Sequence, residues 1–147
     1  MRTGVNMECK LIPVETLIPQ RPPMVMIGAL AYCDRLHTQT TYFVTPDGLF
    51  VSDHNLSAPG LMENMAQTIA ARMGYLALYG DEATGVVRKG VIGAVRNLAI
   101  EALPSVGAAL TTSVDLIEEW GDMILVRAQV VCSGQIACAC EMIVSLI

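Results

Sequence analysis

Two periods of apolar and polar positions run along this chain, and the places where they change mark out its elements. Between Ser57 and Tyr79 apolar side chains recur three or four apart, at Leu61, Met62, Met65, Ala66, Ile69, Ala70, Met73, Leu76 and Ala77. That spacing predicts one long helix with a broad apolar stripe. Ser57 or Asn55 is placed to cap its start, Pro59 is tolerated in its first turn, and Gly80 with Asp81 supplies the stop. Small residues (Ala58, Gly60, Ala66, Ala70, Ala71, Gly74, Ala77) keep this helix thin enough for another surface to come close. Three polar residues, Glu63, Asn64 and Gln67, interrupt it near its N-terminus, with Glu63 expected in the first turn and His54 shortly before.

The rest of the chain has the period of strands. Residues 1–13 form a lead-in without a strong pattern, and Val14 to Pro19 reads as one short helical turn. Pro19 and the Pro22-Pro23 pair end that turn and force an extended path. Met24 to Cys33 is a nearly continuous apolar run of strand length, and His37 to Val44, rich in threonine and aromatics, suits the second strand of a hairpin turning at Asp34-Arg35. Residues 45–55 are expected as a loop carrying the Pro46-Asp47-Gly48 turn signal. After the helix, a loose polar stretch at Gly80 to Gly85 leads into a strand from Lys89 to Glu101, whose two glycines invite a bend. Three more strands follow from Ala108, separated by tight turns at Gly121-Asp122 and Ser133-Gly134.

A short helical turn, two strands, one long helix and four strands fit a single α+β domain in which an antiparallel sheet wraps one central helix. Such a sheet leaves one edge and part of the helix uncovered, and dimerisation across a two-fold axis is the expected remedy.

Composition sharpens this picture. The 147 residues are 53% hydrophobic and only 16% charged, with a mean hydropathy of +0.50. No run approaches the roughly 18 to 20 apolar residues of a membrane span, so the surplus apolar surface is expected in an oligomer interface or a lipid-like ligand channel. The start, MRTGVNMECK, lacks the apolar region of a signal peptide. Five scattered cysteines, without the spacing of a metal site, read as reduced core thiols of a cytoplasmic protein. A formal net charge of −5 argues against general nucleic-acid binding.

Three stretches carry a resemblance: LIPQRPPMVMIGAL (17–30), APGLMENMAQTIA (58–70) and GVIGAVRNLAIEALPSVGAAL (90–110). They are similar, in turn, to the opening turn, the central-helix Glu-x-x-Ala-Gln signature and the strand with a Pro-Gly turn of the hotdog-fold 3-hydroxyacyl-acyl-carrier-protein dehydratases. The match covers roughly residues 14–147, and the AQTIAA extension resembles the diverged dehydratase-like proteins of aryl-polyene and related pigment pathways. Two departures stand out. Gln20 replaces the histidine of the family's opening, and the His-Phe-Pro-Gly loop that carries the catalytic histidine is absent, His54 lying only nine residues before Glu63.

The resemblance implies dehydration of a 3-hydroxyacyl thioester on acyl carrier protein, in fatty-acid or polyene lipid biosynthesis, with no cofactor and no metal. That reaction needs a base for the α-proton, an acid for the departing hydroxyl and donors for the thioester carbonyl. His54 is the candidate base and Glu63 the candidate acid, acting across the interface of a dimer. Gly60, with a free backbone N–H at the helix start, Asn64 and Gln67 are expected around the substrate. Arg21, Arg72, Arg88, Lys89 and Arg96 are five of the nine basic residues; gathered at a tunnel mouth, with Arg88, Lys89 and Arg96 foremost, they would attract an acidic carrier and its phosphopantetheine. Two alternatives stand beside this reading. One is a non-catalytic hotdog subunit paired with a catalytic dehydratase, in place of a homodimer. The other is an acyl-thioesterase in which Glu63 directs water.

Overall fold

The computed structural model describes residues 6–147. A six-stranded sheet carries one long helix on its inner face. The strands are β1 (Ala29–Cys33), β2 (His37–Phe43), β5 (Gly90–Ile100), β6 (Ala109–Trp120), β7 (Met123–Cys132) and β8 (Gln135–Leu146), and a small hairpin holds β3 (Val51–Ser52) and β4 (Asn55–Leu56). The main sheet runs in the order β1-β2-β6-β7-β8-β5 with every neighbour antiparallel. The helix, α2 (Ala58–Tyr79), lies across it.

Alternation along the strands decides what α2 meets. Val126, Ala128 and Val130 on β7, and Cys138, Cys140, Met142 and Val144 on β8, turn inward and are buried. Leu61, Met65 and Ile69 of α2 complete this core. Four of the five cysteines are buried free thiols, and burial pushes Cys33 up to about 12 and Cys140 up to about 11. The tight turns form where expected. Ser133 and Gly134 both have positive φ, as a two-residue hairpin of this hand requires.

Several elements differ from the sequence expectation. Of the predicted lead-in, residues 1–5 lie outside the described residues, while Asn6–Leu11 form a short helix, α1. Cys9, at the centre of α1, is buried with Leu17, Leu30 and Ala71. The turn after it is a single 3-10 turn, Val14–Thr16. The apolar run from Met24 becomes strand only at Ala29, because helix side chains take the backbone groups of Met24 and Met26 that a ladder would have used. The expected loop at 45–55 contains the β3–β4 hairpin. Ser57 does occupy the N-cap position, but its hydroxyl makes no capping bond. Gly80 ends the helix in an extended conformation, not the left-handed one, with its N–H on the Leu76 carbonyl. No helix among the described residues is long and apolar enough to cross a membrane.

β5 is the exposed edge of the sheet. Its inward-facing Ile92, Val95 and Ile100 pair in register with buried Val144, Met142 and Cys138 of β8, yet remain exposed because α2 does not reach over them. Pro59, Met62, Ala66, Ala70, Met73 and Ala77 lie along the face of α2 that nothing fully covers. One uncovered apolar strip is therefore shared by the central helix and the edge strand.

Candidate functional site

Glu63 sits on that uncovered face of α2, half-buried. Because the helix begins at Ala58, Glu63 is in the second turn and not the first, where the helix dipole is already weak. Its orientation comes from a neighbour one turn on: Gln67 Nε2 donates to Glu63 Oε2 at 2.7 Å. Gln67 is itself fixed. Its Nε2 also donates to the Met24 carbonyl at 2.7 Å, and its Oε1 accepts the Met26 N–H at 2.6 Å. Both amide ends of this buried side chain are committed, so the carboxylate is held from a rigid point.

Asn64 faces the other way. It is fully buried, its Nδ2 donating to the Met26 carbonyl at 2.7 Å and its Oδ1 accepting from Thr112 Oγ1 at 2.5 Å. Neither end is left for a ligand. Asn64 is a clamp between the 24–28 segment, α2 and β6. Beside it, Thr68 Oγ1 meets Thr40 Oγ1 at 2.7 Å. Sequence reasoning missed this layer, although a signal was present: Thr38, Thr40 and Thr112 are polar residues on the inward register of β2 and β6, where buried hydroxyls need partners.

Gly60 is buried beneath the β3–β4 hairpin. A Cβ there would stand 2.5 Å from Leu56 Cδ1 and 2.8 Å from Phe50 Cβ, so close packing by itself requires glycine. Its N–H donates to no acceptor among the described residues, the first closing bond of the helix being Leu61 N–H to the Ser57 carbonyl. A free backbone donor thus lies one turn before Glu63.

His54 occupies the second position of the β3–β4 turn, after Asp53, and both residues have positive φ (54° and 65°). The turn aims the imidazole outward. The ring is exposed and makes no hydrogen bond or ion pair within the described residues, while the His54 carbonyl accepts from Val106 N–H at 2.8 Å. The other histidine, His37, is on the outer face of the sheet, with Nδ1 2.7 Å from Asp115 Oδ1.

Of the basic residues, Arg72 and Arg88 border one groove beside the C-terminal half of α2, while Arg96 lies apart from them. Arg88 pairs with Asp122 at 3.4 Å, and Arg96, on the outer face, pairs with Glu141 at 3.3 Å. Lys89 is exposed and free of any ion pair among the described residues. Arg72 is buried against the β1–β2 turn, far along α2 from Glu63. No group of His, Cys, Asp or Glu among the described residues could hold a metal ion.

A rigidly oriented carboxylate beside an open apolar strip, one turn from a free N–H, suits an acyl substrate. Among known proteins, residues 12–145 match the ApeP-like family, whose description is ApeP dehydratase. The chain belongs to the ApeP-like dehydratase family. This family assignment carries the hotdog fold with it, and solved structures share that fold. The dehydratase heterocomplex ApeI:P from Xenorhabdus doucetiae superposes with a TM-score of 0.83 at 18% identity, over 92% of this chain and 91% of that one. The uncharacterized protein PH1136 from Pyrococcus horikoshii gives 0.65 at 14%, over 92% and 95%. The PaaI protein of E. coli, from the phenylacetic acid degradation operon, gives 0.63 at 11%, over 79% and 80%. No curated protein matches this ApeP-like chain in sequence.

Proposed function

We propose that this chain is a subunit of a cytoplasmic dehydratase that removes water from a (3R)-hydroxyacyl thioester carried on the phosphopantetheine arm of an acyl carrier protein. The observation that carries the reading is the Glu63 carboxyl, fixed by Gln67 at the border of the uncovered strip. In the reaction a base takes the α-proton, the electron pair forms the α,β double bond, and the β-hydroxyl leaves as water with the proton Glu63 supplies. The Gly60 N–H is the donor available to the thioester carbonyl as it gains charge. The strip itself, from Ile92 to Ile100 with the open face of α2, is the surface for a second hotdog chain, which would close an acyl channel over Glu63.

His54 is the base in this reading, offered by its outward turn to the site of the neighbouring chain. Its exposure and its lack of any fixing contact equally favour a second arrangement, in which the partner is a different hotdog chain that brings its own histidine. The Xenorhabdus structure, a heterocomplex of two such chains, supports that form. With Arg88 and Arg96 paired to carboxylates, Lys89 is the one of these three left without an ion pair for the carrier.

The test is conversion of a 3-hydroxyacyl-carrier substrate by the purified protein, alone and with its natural partner, followed by mass spectrometry. Enoyl product that disappears in both Glu63→Gln and His54→Ala supports the first arrangement. Loss in Glu63→Gln alone assigns the histidine to the partner. Full activity in both variants rejects the site, and free acid in place of enoyl product identifies a thioesterase.

A further inference from the structure

The C-terminal half of α2 borders a concavity on its other flank, which meets the Glu63 strip only at Met73 and Ala77. A groove of about 1040 Å³ lies between the helix, the β1–β2 turn and the loop that follows the helix. Met73, Leu76, Val86 and Leu146 give it apolar walls, and Arg72 stands among them. Nine residues separate Arg72 from Glu63, roughly 13 Å along the helix axis.

Arg72 is a buried charge without a counter-ion. Its residue exposure is 4%, and no carboxylate of the described residues pairs with it. The acidic groups nearby are engaged elsewhere. Glu119 pairs with Arg35 at 3.3 Å. Asp34 accepts from the Tyr32 hydroxyl at 2.5 Å and from the Leu36 and His37 amides. Arg72 Nε and Nη2 donate to the Arg35 carbonyl at 3.3 and 2.8 Å, which uses two of the five guanidinium N–H groups. Nη1 donates to nothing among the described residues. Yet Gln20 Oε1 is the sole buried side-chain polar atom among the described residues without a partner, so Nη1 reaches solvent, and the groove is the opening that Arg72 lines. Burial disfavours the charged form of this guanidinium, and a ligand anion would offset that cost.

We propose that the groove binds an amphiphilic carboxylate, whose head pairs with the Arg72 guanidinium and whose aliphatic body lies on Leu76, Val86 and Leu146. A monoanion fits better than a phosphate dianion. Asp34, Asp81, Glu82 and Glu119 line the groove and outnumber the other two arginines there, Arg35 and Arg88, and the carbonyl end of α2 adds partial negative charge. The volume is that of a site for a ligand of drug-like size.

The probes are decanoate and decan-1-ol, of equal length but different charge, titrated calorimetrically below their aggregation limits into the full chain. Decanoate should bind at least tenfold more tightly than the alcohol, as a charge-assisted hydrogen bond commands about tenfold to a hundredfold. Arg72→Met should bring the two within threefold. Val86→Asp, on an exposed loop where folding is not at stake, takes apolar contact from both probes but repels only the carboxylate, so decanoate should weaken tenfold more than the alcohol. Glu63→Gln should leave decanoate binding unchanged even where it abolishes dehydration, which separates this site from the catalytic one. Equal affinity of the two probes, an undiminished carboxylate preference in Arg72→Met or in Val86→Asp, or loss of decanoate in Glu63→Gln would each overturn the proposal.

Discussion

Replacing Gln67 by leucine tests stability and chemistry at one position. The two side chains are similar in size, so the effect is one of hydrogen bonds. The Met26 N–H, in a residue 2% exposed, loses the acceptor 2.6 Å away and has no water to replace it. An orphaned buried donor costs about 1–3 kcal/mol. The Met24 carbonyl and Glu63 carboxyl are half-buried and can turn to water, so each loses only the net worth of a bond, about 0.5–1.5 kcal/mol. Burying leucine instead of an amide returns about 1.5–3 kcal/mol. The expected net loss is about 1–2 kcal/mol, read as a lower urea midpoint with unchanged slope at fixed protein concentration. Dehydration should fall much further, because Glu63 loses the donor that orients it while the strip and its partner surface stay intact. A stable variant with full activity would refute both the clamp and the role given to Glu63.

Two further substitutions probe the packing around the site. Gly74→Ala places a Cβ 2.0 Å from the Leu17 carbonyl oxygen, a backbone atom that cannot swing aside; the 3-10 turn must lift from α2, at about 1–3 kcal/mol, and the thermal midpoint should drop by several degrees. Val95→Lys puts a charge on the inner side of the edge strand, at a residue 37% exposed in the single chain. It should leave the fold intact by circular dichroism and abolish association with the proposed second hotdog chain in light scattering; unchanged association would move the interface elsewhere.

Local periodicity determined the elements of this protein. The three- and four-residue recurrence from Leu61 to Ala77 set the helix, and the two-residue alternation after Ala108 set three strands and their turns, because each pattern is a property of neighbouring residues. The same residues, with the Glu63-to-Gln67 signature, were enough to place the chain near its family. Tertiary structure decided what each polar residue on the helix does. Glu63, Asn64 and Gln67 look alike in sequence, yet one faces the open strip and two are spent holding Met24 and Met26, since only the path of the 24–28 segment says where their partners lie. The same path ended the first strand early. Arg88, adjacent in sequence to a free Lys89, and Arg96, seven residues beyond it, turned out to be neutralised by Asp122 and Glu141, carboxylates more than thirty residues away. The uncovered edge was foreseeable in kind, as a sheet around one helix must leave one. Which side chains it exposes depended on the register of β5 against β8, which two bulges set and no local pattern encodes.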